Sequence, residues 1–172
     1  MFSQSAEYVI YINKERVLLI VMLAPTAGIV EFKSMPVVCL CSSRAGVQEL
    51  VDESKKLSKG TDVVLVLGYS DRAVSRILPA YVNATIRTRE GTARSRSMQV
   101  EMLMLVCGTM NIGKALKSSG AKDSRKFLAF ASSAALFSRF AKRCAISRIR
   151  SIRPGLVSEE AGNVAITELL ND

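Results

Sequence analysis

The segment Glu101 to Lys117, EMLMLVCGTMNIGKALK, holds the residue spacing with the most chemical content in the chain. Gly108 to Lys114 satisfies G-x-x-x-x-G-K, the pattern in which backbone amides cradle nucleotide phosphates and a lysine reaches them. The flanks fit that reading. Met102 to Cys107 is an unbroken apolar run that reads as a strand buried on both faces. After it, Ile112, Ala115, Leu116 and Ser119 recur at helical spacing, with Lys114 and Lys117 on the wet side. Three features oppose a working phosphate loop. Ala115 stands where a Ser or Thr hydroxyl should hold Mg²⁺. Ile112 is β-branched in a loop that must curl its amides around phosphate. No later apolar run ends in an Asp for the metal. The alternative is a strand-to-helix corner in which Gly108 takes a backbone angle that suits glycine. Asn111 would then cap the helix and Gly120 end it.

Other chemistries are bounded by composition. The 172 residues contain no histidine, which removes Ser-His-Asp and Cys-His catalysis and every His-containing metal site. Cys39, Cys41, Cys107 and Cys144 lack paired C-x-x-C spacing and read as small buried hydrophobes, so no metal or cofactor is expected. The net charge of +9 calls for an anionic partner, nucleic acid first, or else is ordinary solubility charge. The charge is clustered. Arg87, Arg89, Arg94 and Arg96 form one group; Arg139, Lys142, Arg143, Arg148, Arg150 and Arg153 form another. Arginine dominates both, as it does where planar, bidentate phosphate contacts are made. A solvated basic face is the competing reading. No aromatic-interleaved stacking platform accompanies these clusters, so RNA contact would be to phosphate or an unpaired end.

The elements that must position these residues emerge from periodicity. Residues 1–34 read as an N-terminal extension, a β-hairpin or a poorly ordered arm, with Tyr8 to Ile12 and Val17 to Leu23 as strands around Asn13 to Arg16. The apolar run after Arg16 comes late for a signal peptide and is shorter than the ~20 residues of a membrane span. Val37 to Cys41 and Val63 to Leu67 read as strands, with a helix between them capped by Ser42 or Ser43. Ser70 caps a further helix whose stripe is Val74, Ile77, Leu78, Tyr81 and Val82. Pro79 should kink or split it, and Gly91 should end it. A short helix is expected over Thr92 to Met98. Phe127 to Ala131 is a strand, Ser133 caps a helix through Cys144, and Val164 to Leu169 is a last strand. The predicted fold is a single α/β domain: a central mixed sheet of about four to five strands with helices on both faces.

Glu101 through Gly120 resembles the signature segment of the small kinase-binding subunit of the KEOPS (EKC) complex. That family shows a Glu opening an apolar strand, a small-Gly-Thr corner, a Gln-Ile pair, an Ala three residues on, and a closing Gly. Asn111 stands here in place of the Gln. Arg96 and Ser97 match the family's Arg-Ser pair, with Arg94 replacing an apolar residue, and Lys114 is not a family feature. The resemblance spans residues 35–172. It implies a non-catalytic accessory subunit of the complex that makes threonylcarbamoyladenosine in tRNA. Such a subunit binds the atypical kinase subunit, meets other KEOPS subunits through it, engages no membrane, and acts in the cytoplasm. Archaeal members also capture the single-stranded 3′ CCA end of tRNA. On this reading Arg87, Arg94 and Arg96 contact RNA phosphates, while Ser97 and Asn111 offer hydrogen bonds. Part of the Ile112, Leu116 or Leu78, Tyr81 stripes docks the kinase, unless those stripes are core. The alternatives are a nucleotide-binding protein using Gly108 to Lys114, and a protein-docking module without RNA affinity.

Overall fold

A computed structural model of the protein describes residues 34–152, together with the backbone of strands at 7–13, 16–23, 26–32 and 164–165. The chain divides into two compact units, one comprising residues 1–35 and 154–172, the other residues 36–153.

In the first unit β1 (Glu7–Asn13), β2 (Arg16–Leu23) and β3 (Thr26–Phe32) pair antiparallel in sequence order. The hairpin expected around Asn13 to Arg16 is present, and β3 extends it. The last strand expected at 164–169 is described only as β8 (Val164–Ala165), which pairs parallel with Tyr8 and Val9 of β1.

The second unit is built in chain order from β4 (Val37–Ser43), α1 (Val47–Leu57), β5 (Val64–Gly68), α2 (Asp71–Glu90), α3 (Met98–Cys107), α4 (Ile112–Ser119), β6 (Phe127–Ala131), α5 (Ala134–Arg143) and β7 (Ile146–Ser151). The sheet order is β5-β6-β4-β7, each neighbouring pair antiparallel. Strand alternation divides β6 between two cores. Phe127, Ala129 and Ala131 join Leu50 and Leu57 of α1 and Leu136, Phe137 and Phe140 of α5. Phe130 points to the other face, where its ring lies 5.0 Å from that of Tyr81 on α2. Helices therefore cover both faces of a four-stranded sheet, as expected, but the sheet is antiparallel throughout and not mixed. No helix among the described residues is long and apolar enough to cross a membrane.

The run at 102–107 is corrected: it is helix, not strand. Met102, Leu103, Met104 and Val106 are all buried, so α3 is apolar around most of its circumference and shows no amphipathic stripe. Methionine and leucine are strong helix formers, and Val106 is the one β-branched residue of the run. Ser97 opens α3 by accepting from the Val100 amide, and Gly108 closes it in the left-handed conformation at φ 64°. The short helix expected over 92–98 is absent. Residues 92–97 form the turn between α2 and α3, and Met98 is the first residue of α3. Neither Ser42 nor Ser43 caps α1, whose N-cap is Gly46. Ser43 instead lies in β4, donating its hydroxyl to the Cys144 carbonyl and accepting from the Ala45 amide. α2 runs through Pro79 unbroken. The caps at Ser70, Asn111 and Ser133 form as expected, each side chain accepting an amide of the first turn.

Candidate functional site

α2 and α3 form an antiparallel helical hairpin, because the end of α2 meets the start of α3 through Arg87 and Glu101. Glu101 is fully buried. A carboxylate removed from water needs partners for its oxygens. One oxygen accepts from Arg87 Nη1 at 3.1 Å, and the other accepts from the backbone amides of Arg94 (3.0 Å) and Ser95 (3.1 Å). The opposite end of the turn is tied down as well. The amides of Thr92 and Ala93 donate to the Arg87 carbonyl at 2.9 and 3.1 Å, and Gly91 supplies the φ of 71° that reverses the chain. Ser95 Oγ then accepts from the Ser97 amide, and Ser97 Oγ from that of Val100. The turn is thus fastened from inside by an acid. Arg94 and Arg96 are on its outer side, and no salt bridge engages either among the described residues.

The five residues expected to touch RNA do not form one cluster. Arg94, Arg96 and Ser97 share the turn. Arg87 does not project with them: its side chain is 31% exposed and is bonded to Glu101. Asn111 lies at the far end of α3, about 16 Å away at 1.5 Å per helical residue, and its Oδ1 caps α4 through the Lys114 amide at 3.0 Å.

The expected partner stripes also separate. Leu78 and Tyr81 are each 7% exposed and belong to the core, because this face of α2 lies against β6. Burial first, then the Asp62 carboxylate, pushes the Tyr81 phenol up to about 12. An unfolded chain ionises tyrosine near pH ~10. Tyr81 therefore favours the fold fully below that pH, and the contribution is lost as pH rises toward 12. Tyr81→Phe should flatten the alkaline fall of the urea midpoint between about pH 10 and 12, from the unfolded tyrosine value to the raised one; an unchanged slope would contradict the burial of the phenol. Ile112 and Leu116, in contrast, are 44% and 53% exposed. They sit one turn apart on α4, with Met110 exposed just before them, while Ala115 is fully buried.

The glycine corner at 108–114 is a helix-to-helix connection, not the strand-to-helix setting expected. The amides of Gly108 and Thr109 donate to the Leu105 and Met104 carbonyls, and those of Asn111 and Lys114 to Thr109 Oγ1 and Asn111 Oδ1. These groups are already bonded within the chain and are not turned toward a phosphate. The order strand, loop, helix occurs elsewhere, where β5 passes through Tyr69 and Ser70 into α2.

Sequence reasoning missed two features. One is the clamp made by Glu101, which an acid beside a dense apolar run could have signalled. The other is a gathering of Tyr69, Arg72, Lys122 and Lys126 from separate segments, which no local spacing reveals. Among the described residues no group of three Cys, Asp or Glu side chains could hold a metal ion. Compared with models of known protein families and with curated proteins, the sequence matches none.

Proposed function

We propose that this chain is a non-catalytic, RNA-presenting accessory subunit of the kind the signature segment resembles. It would bind an atypical kinase subunit of a KEOPS complex and, through that kinase, the remaining subunits. It would support threonylcarbamoyladenosine modification by holding the 3′ CCA end of tRNA in the cytoplasm. The observation that carries the RNA half is the turn at 91–97. A buried carboxylate fixes its backbone, so Arg94 and Arg96 extend from a rigid base, and less ordering entropy is lost when they meet phosphate. Arg87 contributes by holding Glu101, not by touching RNA. The kinase half rests on Met110, Ile112 and Leu116, an exposed apolar corner on a short helix.

Fluorescence anisotropy with intact tRNA, and with the same tRNA trimmed of its CCA, tests the reading. Binding should be lost on trimming. Arg96→Ala should weaken it by about 1–3 kcal/mol, the range for charge-assisted hydrogen bonds. Equal affinity of both RNAs, falling steeply with salt, would reduce the arginines to a general phosphate surface. Co-purification with the kinase in the absence of any RNA affinity would favour a docking module built on the apolar corner.

A further inference from the structure

At the end of the α2–α3 hairpin remote from Glu101, a cavity of about 600 Å³ opens. Its floor is apolar, from the buried Leu67, Ala73 and Val106, and its mouth carries the exposed Arg72, Lys122 and Lys126. No carboxylate lies within salt-bridge distance of these three cations among the described residues. Asp123, the acid in the lining, is bonded instead to Arg125 through both backbone amide and guanidinium. Tyr69 stands at the edge. Lys126 Nζ lies 4.8 Å above its ring, and Arg150 Nη2 lies 3.5 Å from its hydroxyl. Arg72 and Arg76 cross the end of α3 together: a Cβ on Gly108 would lie 2.8 Å from Arg76 Nη1 and 3.6 Å from Arg72 Nη2. Glycine at 108 thus serves the close approach of these guanidiniums as well as the φ that ends the helix.

Like charges collected at one mouth repel each other, and an anion relieves that repulsion. The volume lies within the roughly 300–1,000 Å³ of small-molecule sites, and an apolar floor with a few polar groups at the rim is their usual lining. We infer that this cleft binds a small nucleotide, its phosphate on Arg72, Lys122 and Lys126 and its base over the Leu67 and Val106 floor beside Tyr69. The site is separate from the arginine turn and does not rest on the RNA-presenting role. It also differs from the Gly108 to Lys114 motif, which supplies only its glycine to the neighbourhood.

Cys107 lines the same cavity and is the one cysteine of the four that is not buried. Burial first, then Glu53 and Glu49, pushes the Cys144 thiol up to about 11, which keeps it in the unreactive protonated form. Equilibrium dialysis of radiolabelled AMP and ATP against the full chain measures affinity, and N-ethylmaleimide labelling of Cys107 locates the ligand. At least one nucleotide should bind and slow labelling about fivefold or more. Adenosine and inorganic phosphate should each bind at least tenfold more weakly. Arg72→Gln with Lys126→Gln should weaken the nucleotide at least tenfold, as should Lys122→Gln alone should the pair fail to fold, while Arg94→Ala with Arg96→Ala leaves it unchanged. The inference is overturned if neither nucleotide binds, if inorganic phosphate binds equally well, or if the cleft variants bind normally. Binding of a CCA trinucleotide with no binding of AMP or ATP would also overturn it, and would put an RNA end in the cleft.

Discussion

Replacing Glu101 with Ala should lower folding stability by about 2–5 kcal/mol, because two backbone amides are left without an acceptor at roughly 1–3 kcal/mol each. The Arg94 and Ser95 amides would lose their acceptor, and the carboxylate's volume would be left empty in a fully buried site. Arg87 is the lesser part of the loss, since at 31% exposure it can rehydrate. Glu101→Gln retains an acceptor oxygen and should cost less. Urea unfolding measures both effects, and hydrogen exchange at Arg94 and Ser95 reports the turn directly. A loss below about 1 kcal/mol for Glu101→Ala, near the net worth of one ordinary hydrogen bond, would mean that the carboxylate does not hold the turn. The variant also separates charge from shape. Removing an acid beside an RNA surface should strengthen phosphate binding if only the field matters. We expect weaker binding, because Arg94 and Arg96 lose their fixed base.

The second large effect is expected at Phe130. Its side chain is fully buried on β6, between Val38 and Leu65 of the neighbouring strands and against the Tyr81 ring. Phe130→Ala should cost about 3–5 kcal/mol through lost transfer energy and the cavity left behind. Phe130→Leu keeps much of the volume and should cost clearly less. If the two substitutions cost the same, the ring contact with Tyr81 and the close packing around it are not what the site provides.

The sheet is largely legible in the sequence because its strands obey simple rules. Phe127 to Ala131 is an apolar run too short to make a helix of ordinary length, and Ser133 caps the helix after it, so both limits of β6 can be read directly. α3 is not legible in the same way, because an apolar run buried on all sides has no period to distinguish strand from helix. The useful distinction lies in residue type: methionine alternates with leucine in α3, where β5 alternates the β-branched Val64 and Val66 with Leu65 and Leu67. Ser97 and Gly108 also stand at helix-cap positions. The arginine cluster can be found from the sequence, but neither the turn that carries it nor the partner of Arg87 can, since 14 residues separate Arg87 from Glu101 and neither helical nor strand spacing joins them. Leu78 and Tyr81 read as core first and as a docking patch second, and the position of β6 decides for core. The cationic cleft cannot be read at all, because it depends on how β5, α3 and the loop before β6 meet.

The ladder order β5-β6-β4-β7 also sets a timetable. β4 is the first strand of its sheet to be synthesised, yet both its neighbours come from residues 127–151. At ribosomal rates of about 5–20 residues per second, Val37 to Cys41 must wait roughly 4–20 seconds for β6 and then β7. During that interval its apolar side chains and open backbone groups are available to other chains. The α2–α3 hairpin faces no such delay, since Arg87, the 91–97 turn and Glu101 emerge together. The first native structure to form in this unit should therefore be the hairpin with its acid clamp, with the sheet closing around it once the C-terminal third is complete. A nascent chain stopped before residue 127 would hold the arginine turn but not the β5-β6-β4-β7 sheet, and would be a natural client for chaperones.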